Sequence, residues 1–408
     1  MEQFFIDQVK YGLKYIPSNL IKYPFIKKCS AETKALHDNE FICGVCHPSN
    51  NYRQISDANI SWVRFDIPFP FDKNWEVTDY FLEFKEECRK FTENGIKVMA
   101  VTPYPRDFFD IGIDVRTPAG EQKVREAARY IITELKDVIG GLQITNEMGM
   151  PHFTLPLENL DEAARYIGLQ LEEIYPIRGD ILLGYNCAGP QADLHCRMTP
   201  YLKYCDYVGI DIYMGCFAPG FIWMFDALLA YLWAMTRKPI ILMEFGYISK
   251  GAPKTKAEKK AILRKYGAKN EKDAKNNIEK FVSELPEFMQ AHIKNVCQND
   301  VGRYFNLIFK SDYKTHLYKE LPKTTIIPGY PHSYEGQAKF YEDILPRLHV
   351  KPFLIGAFIY SYSDARACHV CGETDCPTET KWGLTERNGT PKPAYYAVQK
   401  AFQKIKNQ

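Results

Sequence analysis

Two glutamates stand out by where they fall in the chain. Gln143-Ile144-Thr145-Asn146-Glu147-Met148-Gly149 is a short, mostly apolar run that ends in an amide and then a carboxylic acid. Pro239-Ile240-Ile241-Leu242-Met243-Glu244-Phe245-Gly246 delivers a second glutamate from an unbroken apolar run, with a glycine close behind. Such runs, bounded by Gly or Pro, read as strands buried on both faces, the kind found in parallel sheets. A carboxylic acid can protonate a poor leaving group, and a carboxylate can attack carbon. One of each, presented from two strand ends, is the minimum equipment for splitting a glycosidic bond.

Presenting them requires a scaffold with regular strand ends. Apolar strand candidates fall at 41–46, 60–66, 96–102, 142–147, 181–186, 207–213, 240–245 and 353–360, and helix-period stretches at 76–94, 121–138, 160–175, 220–236, 334–347 and 393–405. Asn159 with Glu162 three residues on suggests a capping box, and Pro118 and Pro391 suit helix starts. Eight strands alternating with helices are the sequence form of a (β/α)8 TIM barrel, in which polar residues at carboxyl strand ends read as catalytic. A doubly wound sheet is the alternative, but no glycine-rich phosphate fingerprint follows any strand. Residues 1–35 read as an N-terminal helical extension and 36–408 as the barrel. The alternation breaks after the seventh strand, where 250–330 forms a long insertion expected to be a lid or subdomain. Its lysines are interspersed with acids and read as a solvated face rather than an anion site.

Composition narrows the partners. The 408 residues carry 52 basic and 50 acidic side chains, so no charge imbalance points to nucleic acid or an anionic membrane. No signal-peptide pattern is evident at the N-terminus, and 12 cysteines in a chain of this length read as reduced thiols, so a cytoplasmic location is expected. The apolar segment 221–235 falls short of the ~20 residues that span a bilayer and is interrupted by Asp226. It reads as a buried helix, with an oligomer contact through it as the alternative.

In these features the chain resembles the clan A glycoside hydrolases, retaining (β/α)8-barrel glycosidases, from about Phe41 to its end. The resemblance rests on Asn146-Glu147 after the fourth strand with Glu244 after the seventh. Trp62-Val63-Arg64-Phe65-Asp66 is similar to the second strand, Gly209-Ile210-Asp211-Ile212-Tyr213 to the sixth, and Trp382-Gly383-Leu384 with Gly389–Tyr395 to the tail that enters the eighth helix. It implies that Glu147 is the acid/base, Glu244 the nucleophile, Asn146 a partner of the sugar 2-hydroxyl, Arg64 a cation beneath the nucleophile and Tyr213 its orienting phenol. Strand eight departs from the pattern: Tyr360 stands where many relatives carry a tryptophan platform, and Trp382 is a candidate to replace part of it. His47 and Tyr104 join the substrate-binding candidates by their positions at strand ends.

The loop before Trp382 holds Cys368-His369-Val370-Cys371 and Cys376. Cys-x2-Cys with a third cysteine could hold zinc, completed by His369 or by a remote Cys196 or His195. Structural zinc sites usually show two such pairs; only one is present, so free thiols are expected and no metal or cofactor is called for. The expected function is retaining hydrolysis of β-linked sugars from oligosaccharides or small glycosides. An endo-acting β-glucanase or mannanase with an open cleft, and a non-catalytic sugar-binding barrel, are the alternatives.

Overall fold

A computed structural model describes residues 41–311, 313–321 and 325–407; the 1–35 extension lies outside them. Eight parallel strands close into a barrel in sequence order: β1 (Ile42–Cys46), β2 (Trp62–Asp66), β3 (Lys97–Val101), β4 (Gly141–Ile144), β5 (Leu182–Ala188), β6 (Tyr207–Ile212), β7 (Ile240–Phe245) and β8 (Leu354–Ile359), with β8 paired back onto β1. This is a (β/α)8 barrel, with its strands where the apolar runs placed them.

Helices cover the outside by burying one stripe each. In Asp79–Glu93, Phe81, Phe84, Cys88 and Phe91 face the strands, and the Thr78 hydroxyl caps the first turn through the Phe81 N–H. Asn159 caps Leu160–Ile174, but Glu162 reaches back to the Glu158 N–H, one residue outside the cap, so the expected reciprocal box is offset. The last helix starts at Pro393 rather than near Pro391, which pairs in a short bridge with Thr385. The apolar segment forms the helix Trp223–Thr236, burying Phe225, Leu229, Leu232 and Trp233. Its acid is satisfied: Asp226 pairs with Arg347 and, at 3.1 Å, with Lys351. Among the described residues no helix is long and apolar enough to cross a membrane.

The strands are buried on both faces, as a parallel barrel demands. Ile240 and Leu242 pack outward against the helices, while Ile241 and Met243 fill the barrel interior with Ile42, Trp62, Met99, Tyr207 and Phe358. Strict alternation would then turn Glu244 outward. It does not, because the register steps from Ile210 opposite Leu242 to Asp211 opposite Glu244, making Met243 an extra residue in β7. Such a bulge re-aims the next side chain, and Glu244 joins Met243 on the inner face. Gly209 makes room: a Cβ there would lie 2.5 Å from the Met243 side chain.

Between β7 and the next barrel helix, Tyr334–His349, the described residues include six short α-helices spanning 256–318. They build a core of their own from Leu263, Phe281, Met289, Ile293, Ile308 and Leu317, which also takes in Cys368, Val370, Cys371 and Cys376 from the loop after β8. A hydrogen bond of 2.5 Å from Arg106 Nη2 to Asn295 Oδ1 ties the same unit to the segment after β3. The insertion therefore holds loops from two other strands.

Candidate active site

Arg64 is the hub of the strand ends. It points into the barrel from β2, is 2 % exposed, and uses every arm of its guanidinium. Nε donates to Gln143 Oε1 at 2.9 Å, Nη1 to Glu244 Oε1 at 2.5 Å and Nη2 to Asn146 Oδ1 at 2.7 Å. Burial is the largest single influence on Arg64 and opposes its charge, but the surrounding acids, Glu244 foremost, outweigh it and raise its pKa. A buried cation of this kind is tolerated because each of its nitrogens has a partner.

Glu244 is held at both oxygens. Oε1 takes the Arg64 bond, and Oε2 accepts a short hydrogen bond from the Tyr213 hydroxyl just past β6. Burial, then the charge of Glu244, pushes the Tyr213 phenol well above its ordinary pKa, so it stays a donor. The carboxylate is fixed in position and in rotamer.

Glu147 sits differently. It has a left-handed backbone, φ 47°, and its N–H donates to Asn186 Oδ1 at 2.9 Å. Its carboxyl lies within hydrogen-bonding reach of Asp211 on β6. Asp211 Oδ2 accepts from Asn186 Nδ2 at 2.6 Å, while the buried Oδ1 meets no donor among the described residues. Two carboxyls attract only if one is protonated. Burial first, then the charges of Glu244 and Glu147, hold the Asp211 pKa well above the usual carboxylate range against the pull of Arg64.

Asn146 joins the two halves. Its Oδ1 accepts from Arg64, from Asn186 Nδ2 at 2.7 Å and from Gln143 Nε2 at 3.2 Å. With the oxygen saturated, the side chain's orientation is fixed and its Nδ2 is left to donate elsewhere.

The aromatic candidates divide into two groups. His47 is exposed and meets the Tyr360 ring edge-on at 5.3 Å; Tyr360 in turn lies edge-on to Tyr213 at 5.8 Å. Trp382 contacts Tyr213 at 5.1 Å and Tyr360 at 5.6 Å but is only 1 % exposed, so it backs these rings instead of offering a face. Its indole Nε1 donates to the Thr378 carbonyl at 2.6 Å. Tyr104 stands apart from that group and stacks on Phe153, with ring centroids 5.5 Å apart.

Gln143, Asn186 and Asp211 complete the network. Their signal was visible in kind, a polar residue within a strand buried on both faces. Assigning each a partner required the register between strands. Among the described residues the one cluster with metal-binding geometry, His316 with Cys368 and Cys376, lies outside this network.

No family model matches the sequence, and no curated protein matches it. Solved structures do match. The Ignisphaera aggregans GH53 catalytic domain is similar at a TM-score of 0.55 and 15 % identity, over 89 % of this chain and 96 % of that one. A Bacteroides uniformis β-glucuronidase gives 0.52 at 14 % identity, over 89 % of this chain and 35 % of that one. A GH2 β-galacturonidase from Eisenbergiella tayi gives 0.50 at 14 % identity, over 90 % and 51 %. The chain thus spans about half of that galacturonidase, about a third of the glucuronidase and nearly all of the GH53 domain. At such identities the likeness is one of fold, a barrel shared with glycoside hydrolases, and it fits the resemblance to clan A.

Proposed function

We propose that the chain is a retaining glycoside hydrolase acting on β-linked sugars, with Glu244 as nucleophile and Glu147 as acid/base. The observation behind this reading is the difference between the two carboxyls: that of Glu244 is anchored by a cation and a phenol, and that of Glu147 lies beside a second carboxyl, Asp211. A nucleophile must be aimed, which the bonds from Arg64 and Tyr213 provide. An acid must keep a proton near the leaving oxygen, and a second carboxyl close by favours the protonated form of one of the pair.

The reaction then has two displacements. Glu244 attacks the anomeric carbon as Glu147 gives its proton to the departing oxygen, and water later attacks the glycosyl-enzyme as Glu147 takes a proton back. Arg64 holds the nucleophile before bond formation and receives its charge again on hydrolysis. Asn146 Nδ2 donates to the sugar 2-hydroxyl, a contact that strengthens as positive charge develops on the ring. Tyr360, His47 and Tyr104 are the side chains placed to touch the inner sugar. The insertion's contacts with the segments after β3 and β8 support a pocket, hence release of terminal sugars.

A panel of nitrophenyl β-glycosides tests this, with neutral sugars and, because two similar structures are a β-glucuronidase and a β-galacturonidase, uronides. The expected result is turnover of at least one β-glycoside, its loss in Glu244→Ala, and rescue by azide giving an α-glycosyl azide. Turnover restricted to oligosaccharides would shift the reading to an endo-acting cleft. Binding of sugars with no turnover of any would replace the enzyme by a sugar-binding barrel.

A further inference from the structure

We propose that His316, Cys368, Cys371 and Cys376 form a structural zinc site that fastens the insertion to the loop after β8. Three of the four ligand atoms, from His316, Cys368 and Cys376, lie within 4.8 Å of one another, and all three residues are buried. His316 Nδ1 is 3.3 Å from Cys368 Sγ and 3.6 Å from Cys376 Sγ. Ligands of a tetrahedral zinc, with Zn–S of about 2.3 Å and Zn–N of about 2.0 Å, stand about 3.3–3.8 Å apart, so the spacing is that of a coordination shell. The Cys371 thiol, outside that set of three, interacts with both other thiols and would complete the shell on binding. None of these cysteines is in a disulfide.

The backbone is arranged for thiolates. The N–H groups of Val370 and Cys371 point at Cys368 Sγ at 3.3 and 3.4 Å, that of Glu373 at Cys371 and that of Thr378 at Cys376. Donors of this kind favour a charged sulfur. Gly372, at φ 73°, makes a left-handed turn directly after Cys371. Behind the histidine, Glu379 is buried with Oε1 facing His316 Nε2 at 3.8 Å, the carboxylate–histidine arrangement that orients a metal ligand. Binding displaces three thiol protons to solvent and leaves a Zn(Cys3His) centre of net charge −1, facing the N–H groups.

His316 takes the place the sequence suggested for His369, which is exposed and turned toward Glu379 Oε2 at 3.5 Å. His195 is engaged elsewhere, with Tyr185 and Cys187. The cluster lies inside the insertion's own core, and six residues beyond Cys376 comes Trp382, bonded to the Thr378 carbonyl. Zinc would therefore fix both the insertion and the ring backing Tyr213 and Tyr360.

Zinc content of the full chain, purified without chelator and measured by plasma mass spectrometry, tests the assignment. About one zinc per chain is expected in wild type and in the control Cys205→Ser, falling at least tenfold in His316→Ala and Cys371→Ser. Where those variants do not fold, cobalt added to metal-free wild type should give the visible spectrum of a tetrahedral thiolate centre, erased by zinc. Wild type that holds no zinc and takes up neither metal overturns the proposal. So does zinc retained in both variants, or a native disulfide between Cys368 and Cys371.

Discussion

Glu244 and Glu147 are chemically the same side chain at two ends of one network, and their surroundings differ. Glu244 receives a donor on each oxygen, one of them a full positive charge. Glu147 is held through its backbone by Asn186, and its carboxyl lies beside Asp211, whose pKa burial raises. The buried cation Arg64 is bonded to Glu244. The lesson is that the division of labour between two identical groups is written in their neighbours: a barrel supplies equivalent strand ends, and the residues on β2 and β6 make them inequivalent.

The comparison can be broken most directly at Glu244. Glu244→Ala should lower kcat by at least about 10⁴-fold on every substrate, since it removes the proposed nucleophile. Parallel assays with aryl and alkyl glycosides check it, and comparable loss in Glu147→Ala on all of them would erase the distinction. Instead, Glu147→Ala should cost about 10²–10⁴-fold with an alkyl leaving group and much less with dinitrophenolate, which departs without a proton.

Removing one donor from Glu244 sharpens the picture. Tyr213→Phe loses a hydrogen bond to a charged group, worth about 1.5–3 kcal/mol, so kcat should drop about 10- to 100-fold with the fold intact. Arg64→Met should instead strand a buried carboxylate, costing about 3–5 kcal/mol in stability as well as activity. Urea unfolding separates the two; equal stability of both variants would mean Arg64 is not the hub.

The smallest effect belongs to Asp211. Asp211→Asn keeps a neutral donor beside Glu147, so kcat should fall less than about tenfold at mildly acidic pH. Removing a neighbour that can become negative should move the basic limb of the kcat/KM profile to lower pH. Stability has a definite sign too. The folded pKa of Asp211 is raised above the unfolded value, about 3.9, so its stabilising contribution is complete below that pH and fades as pH rises through the raised value. The variant's advantage in Tm over wild type should therefore grow from acid toward neutral pH. A constant offset would show that Asp211 is already ionised.

The barrel was legible because burial on both faces leaves strands no freedom: runs such as Ile240–Met243 and Ile181–Tyr185 must be apolar throughout, and the polar residue that ends each run must lie at a strand end. The same logic exposed Arg64, Glu147, Tyr213 and Glu244. Trp382 was placed in the right neighbourhood, but its role changed, because only packing could reveal that two tyrosines cover it. The zinc cluster was half visible as Cys-x2-Cys with a third cysteine; its histidine is 52 residues away from Cys368 and belongs to the insertion.

What the chain alone determined is therefore the alternation of elements and the chemistry delivered at each strand end, both properties of local pattern. Tertiary structure decided which way and against whom. The Met243 bulge turns Glu244 inward, a one-residue step invisible in an unbroken apolar run. Strand register sets Asn186 between Asn146, Glu147 and Asp211, and only that closeness forces one acid to keep its proton. Hydrogen bonds and charge act over a few ångströms, and the chain brings residues from β2, β4, β5, β6 and β7 within that range only when the barrel closes.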